Sequence, residues 1–201
     1  MDFFTLALIA ALAAYMLKTK DEKARIHLLG SHLGKYQIEK VMETLTDGYL
    51  RAMGEAEPER RAQVWAQLAT SEEKLCGQFD NFAAGFAKVP EADARVSTLP
   101  VSLPYAAKVF PKATFDMRKM LAIHAQGLRT VSENSAGRSP RDKAFMLSAE
   151  MFLMQHSCHW FCKSRTVASA RLLMRHRTPY EQLLASVSPA TRKAYAGLTG
   201  Q

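Results

Sequence analysis

Cysteine is scarce: Cys76, Cys158 and Cys162 are the three in 201 residues. An odd number without paired spacing excludes a disulfide framework and points to a reducing compartment. Strand-like alternation, a coiled-coil register and a tandem repeat are all missing. So are a Gly-rich phosphate loop, an HExxH zinc motif, an oxygen-rich calcium loop and a GxSxG nucleophile elbow. Cys158-His159 does not complete the CxxCH haem pattern, because the preceding spacing is wrong. With 48% hydrophobic and 23% charged residues, the composition excludes a fibrous repeat and a polytopic membrane protein and fits one globular domain or two small ones.

Acidic residues are thin at the C-terminal end. The net charge is +8, and residues 138–201 hold +7 of it, from ten basic residues and three acidic ones. Between Met151 and Tyr180 there are five basic residues and no Asp or Glu. Arg171 and Arg175 share one helical side there, as candidate contacts to an anionic surface. Nucleic acid is the less favoured anion, because no helix-turn-helix context or aromatic-interleaved strand accompanies the charge.

One hydrophobic run stands out. Phe3–Leu17 is fifteen residues long, with Thr5 its only ordinary polar interruption, and Lys18, Lys20, Lys23 and Arg25 follow it. As a helix it reaches about 22 Å, against roughly 30 Å of bilayer hydrocarbon. Met1 and the lysine stems extend its reach at the two edges. Ala11-Leu12-Ala13 resembles a processing site, but a secretory signal carries its positive charges before the apolar stretch, where this chain has Asp2. The expected arrangement is an uncleaved anchor over 1–17, N-terminus outside and main domain cytoplasmic, in an inner or cytoplasmic membrane. A removed signal and a helix bound in a protein groove are the competing readings.

Beyond the anchor, residues 18–34 read as a juxtamembrane connector in which Asp21 and Arg25 pair across one turn. Gly30 and Gly34 mark an expected hinge. Residues 35–196 read as an all-α domain, an irregular multi-helix bundle, and 197–201 as a flexible tail. The spacing predicts a helix over 35–53 with Ile38, Val41, Met42, Leu45, Tyr49 and Met53 on its apolar face. Pro58 starts a short helix, and Thr70 to Glu73 forms a capping box for another. Four prolines over 90–112 make a packed crossover with a candidate hinge at 95–112. A helix over 114–132 carries His124 in its apolar stripe. Ser139, Pro140 and Asp142 then start a long helix to Arg175, kinked near Ser164 or Ser169, whose apolar side includes Phe145 and Met174. Thr178-Pro179 and Ser188-Pro189 open two small peripheral helices.

The richest chemistry lies in this long helix. Met151, Met154, Cys158 and Cys162 share one face, a pattern of thiols and thioethers that suits Cu(I), or Zn(II) with histidine. Cys158 and Cys162 are the first candidate ligands, completed by His159, His124 or Met154. The plainer reading is a packing stripe, since Met and Cys behave as adaptable buried hydrophobes, and no cofactor is favoured. The pattern as a whole points to a membrane-associated interaction or regulatory protein that positions a protein partner, with membrane lipid as its second partner. The alternative is a metal-binding or thiol-active helical enzyme centred on Cys158 and Cys162.

Overall fold

A computed structural model describes residues 2–100 and 102–200. Met1 at the expected edge of the anchor, Val101 in the expected hinge and Gln201 in the expected tail lie outside the described residues. In chain order the elements are α1 (Phe3–Leu33), α2 (Ile38–Gly54), α3 (Pro58–Phe86), α4 (Glu91–Ala94), β1 (Arg95–Ser97), α5 (Ala106–Val109), β2 (Thr114–Asp116), α6 (Met117–Glu133), α7 (Pro140–Cys162), α8 (Arg165–His176), α9 (Tyr180–Ser186) and α10 (Pro189–Thr199). The fold is all-α, an apolar N-terminal helix followed by an irregular multi-helix bundle.

The bundle is organised around α7, which packs against α1, α2, α6, α8 and α9. Its residues Met151, Leu153, Met154, Cys158, Trp160 and Phe161 are all buried. A helix enclosed on most sides needs no polar face, which explains why its sequence is apolar at almost every azimuth. Its aromatic end joins three layers of the core. Phe161 meets Phe86 of α3 edge-on with ring centres 5.7 Å apart, and Trp160 meets Phe115 of β2 at 4.9 Å. Each such fully buried side chain contributes about 1.5–3 kcal/mol relative to exposure.

Several helix boundaries follow the sequence signals. Ser139 Oγ accepts from Asp142 N–H at 3.1 Å with Pro140 at the first helical position. Ser188 Oγ accepts from Thr191 N–H at 3.2 Å, again before a proline. The long C-terminal helix breaks at Ser164, which caps α8 by accepting from Val167 N–H at 3.3 Å.

Other expectations are corrected. α3 runs unbroken through Thr70–Glu73, because the chain before Thr70 is already helical and Glu72 turns inward to Tyr49 and Lys143. The two glycines do not form a hinge between the apolar N-terminal segment and the body: α1 passes through Gly30 without interruption, and Gly34 closes it in right-handed geometry. Met53, Phe145 and Met174 face solvent, and Ala52, Ala144 and Leu172 occupy the core nearby. The tail is helical through Thr199, whose hydroxyl donates to Tyr195 O at 2.9 Å.

The crossover also differs from expectation. β1 and β2 pair antiparallel, with Val96 opposite Phe115. Three-residue strands are too short to show an alternating pattern, and this ladder is held by tertiary contacts: Trp160 Nε1–H donates to Ser97 O at 2.9 Å. The segment expected to hinge thus leaves and re-enters the core side by side.

Candidate functional site

Successive residues of a helix point about 100° apart, and around α7 this rotation separates the candidate ligands. Ser157 faces α6, where its Oγ lies 2.8 Å from Nε2 of the fully buried His124. Cys158 is buried towards α2, near Glu39. His159 faces α8, under the fields of Arg171, Arg175 and His176. Cys162 is half-buried between Arg171 and the α1 residue Arg25. Met154 lies in the core on the Cys158 side. The stripe Met154, Cys158 and Cys162 is therefore real as a helix face, but His124 and His159 stand to either side of it. Among the described residues, no group of three or more His, Cys, Asp or Glu is gathered in a way that could hold a metal ion.

Burial sets the protonation of these groups. It pushes the Cys158 thiol far above its ordinary range and the Cys162 thiol up to about 11. It pulls His124 and His156 down to about 3 and His159 down to about 4, with neighbouring cationic groups adding to the effect. The imidazoles are neutral at pH 7 and the thiols protonated. Ser157 Oγ lies within hydrogen-bond distance of both Leu153 O, at 3.1 Å, and His124 Nε2.

A second buried polar cluster lies between α6, α7 and α10, and sequence reasoning missed it. Glu150 is fully buried, and its Oε1 accepts from Ser188 N–H at 3.0 Å. Burial raises its carboxyl above the ordinary range, opposed by bonds from Ser188 and Thr191. Gly127 makes room for this group: a Cβ there would lie 2.4 Å from Thr191 Oγ1 and 2.6 Å from Glu150 Oε2. An acidic residue among apolar neighbours on α7 was the only available signal.

Arg171 and Arg175 are exposed on α8. Arg175 and His176 form one wall of a cleft of about 170 Å³, and Glu39, Glu43 and Asp47 of α2 form the other. Carboxylates on the opposite wall thus offset the basic face locally.

The most elaborate polar constellation is where α1 meets the body. Glu22 accepts from Lys163 Nζ at 2.7 Å and from Ser102 Oγ at 3.1 Å. Arg25 Nε lies 3.4 Å from Asp21, the pairing expected from sequence. Arg25 also donates to Arg95 O at 3.0 Å and stacks over Phe161 at 5.5 Å. Tyr105 N–H reaches Asp21 at 3.4 Å. Further along, His32 meets Phe86 edge-on and Leu29 is buried. The second half of α1 is thereby part of the bundle, whereas the first half, through Leu17, is exposed. An 18-residue window of α1 has mean hydropathy 1.4 and is entirely unburied, so this helix is long and apolar enough to cross a membrane. Comparison of the chain with protein-family models, with curated proteins and with solved structures found no match.

Proposed function

We propose that the protein is a membrane-anchored helical interaction module: α1 crosses the inner or cytoplasmic membrane, and the bundle sits on the cytoplasmic face to position a protein partner there. The observation that carries this reading is the exposure of the apolar half of α1. Phe3 and Phe4 are 81% and 84% exposed, and no other part of the described chain covers the segment. Burying large apolar side chains in lipid removes about 25 cal/mol of hydration cost per Å². The cationic flank after Leu17 supports a cytoplasmic body.

The docked half of α1 makes the mechanism positional. Because the helix enters the bundle without a break, the anchor sets the orientation of the body as well as its distance from the bilayer. A partner held by the bundle is confined to the membrane surface, and its effective concentration there rises accordingly.

Untagged protein in isolated membranes tests the anchor. It should remain in the pellet through high-salt and alkaline washes and be released by detergent. Recovery of the intact, unprocessed chain in the alkaline supernatant would overturn the reading. Cross-linking in intact membranes before solubilisation tests the partner: a discrete adduct with a second protein is expected, and recovery of the chain linked only to lipid would remove that half of the proposal.

A further inference from the structure

The exposed part of α1 is shorter than a bilayer is thick, and this shortfall has a structural consequence. Helix free of the body ends near Leu17, giving about 22 Å against roughly 30 Å of hydrocarbon. A short span draws its flanking residues towards the membrane or thins the bilayer to meet them. Here the flanking turn, Lys18 to Glu22, cannot move alone, because it is bonded to the bundle through Lys163, Ser102 and Tyr105. Whatever the bundle carries at the level of Asp21 and Glu22 is drawn to the bilayer boundary with it.

The first part of the crossover between the two strands, residues 102–108, occupies that level, and residues 109–112 continue from it. Ser102 bonds Glu22, the backbone of Tyr105 meets Asp21, and Leu103 shares a small cleft with both acidic residues. Lys108 lines a neighbouring cleft with Asp21 and Arg25. The outward side chains of this crossover are unusually apolar for a loop: Leu103 is 42% exposed, Val109 64% and Phe110 46%. Lys108 and Lys112 are exposed beside them. Bulky apolar groups interspersed with lysine match the headgroup zone, where stems lie among acyl chains and ammonium groups meet phosphates.

Two further features fit this placement. The carboxylates at the same level are compensated by Lys163, Lys18 and Arg25, as a region of reduced dielectric requires. The crossover is also braced. Phe110 N–H donates to Ala106 O at 2.8 Å, and Thr98 N–H donates to Ala113 O at 2.9 Å beside the strand ladder.

From these observations we propose that residues 102–112 form a second, interfacial membrane contact. Leu103, Val109 and Phe110 enter the headgroup–acyl boundary of the cytoplasmic leaflet, and Lys108 and Lys112 meet anionic headgroups. The inference rests on the anchor reading and adds to it a lipid-facing surface on the bundle itself. With the helix and the crossover both engaged, the body is fixed in tilt and rotation against the bilayer.

The test uses full-length protein in vesicles of equal parts phosphatidylcholine and phosphatidylglycerol, with bromine placed at shallow or deep positions of the acyl chains. Two single variants are compared, Phe110→Trp in the crossover and Leu6→Trp in the anchor, and the emission of the native Trp65 and Trp160 is subtracted using wild-type protein. Shallow bromines should quench the added emission of Phe110→Trp about twofold, more than deep ones do, as an interfacial depth of about 5–10 Å requires. Quenching of Leu6→Trp with none in Phe110→Trp would overturn the interfacial contact and leave the anchor intact. Absence of quenching in both would overturn the anchor, and the contact with it. Stronger quenching of Phe110→Trp by deep bromines would also overturn the interfacial placement.

Discussion

Glu22 on α1 and Lys163 at the end of α7 lie 2.7 Å apart across 141 residues of chain. The pair joins the first helix to the last residues of the central one, and Ser102 from the crossover completes it. Three distant parts of the sequence therefore meet at the turn where α1 leaves the bundle.

Removing this contact should loosen the first helix. Lys163→Ala is expected to cost about 1–2 kcal/mol, between an exposed ion pair and a buried one. In a double-mutant cycle with Glu22→Gln, urea unfolding in detergent should give a coupling of about 1 kcal/mol. Unchanged midpoints in both single variants would show that this pair does not hold the first helix to the body.

Two glycines should respond in opposite directions. At Gly127, an added methyl meets Thr191 and Glu150 at sub-contact distance, so Gly127→Ala should destabilise by about 1–3 kcal/mol. At Gly30 there is open space within a continuous helix, so Gly30→Ala should stabilise by about 0.5–1 kcal/mol. A loss of stability at position 30 would mean that the helix needs freedom there after all.

Acidification should weaken the fold before the ordinary carboxylates titrate. His124 and His156 are held down to about 3 in the folded protein, whereas an unfolded histidine titrates near 6.5. The unfolded chain therefore takes up more protons between these values. The stability these rings contribute is whole above about pH 6.5 and falls towards pH 3, by at most about 1.4 kcal/mol per pH unit for each ring. Glu150 acts in the opposite sense: its carboxyl is raised, so its contribution is lost as pH climbs above the ordinary carboxylate range. Unfolding midpoints from pH 7 to pH 5 measure the sum. His124→Gln should flatten the slope, and Glu150→Gln should steepen it.

The thiols should react slowly. Cys158 is buried with its thiol held protonated, and Cys162, held near 11, carries about a hundredfold less thiolate than an ordinary cysteine. Iodoacetamide at neutral pH should label Cys158 only after denaturation and Cys162 sluggishly before it. Rapid modification of Cys158 in native protein would reverse this and restore the case for thiol chemistry.

Local signals were legible where one short stretch of chain contains both partners of an interaction. Ser139 with Asp142, Ser188 with Thr191 and Asp21 with Arg25 all lie within one helical turn. The apolar stripe of α6 follows the same logic: Met117, Leu121, His124, Leu128 and Val131 are all buried. The Met/Cys stripe of α7 was legible as a face, but its neighbours were not. Whether His124 or His159 could join it depended on the directions from which α6 and α8 approach.

The amino-acid order determined the helical class, the apolar first helix with its cationic flank and most helix starts, because periodicity and capping act over a few residues. Tertiary structure decided that one half of α1 docks in the body while the apolar half stays exposed, that the prolines of the crossover close on a strand ladder, and that the histidines and cysteines of α7 point to different neighbours. Those outcomes depend on contacts such as Glu22 with Lys163 and Ser97 with Trp160, whose free energy is available only after remote segments have packed.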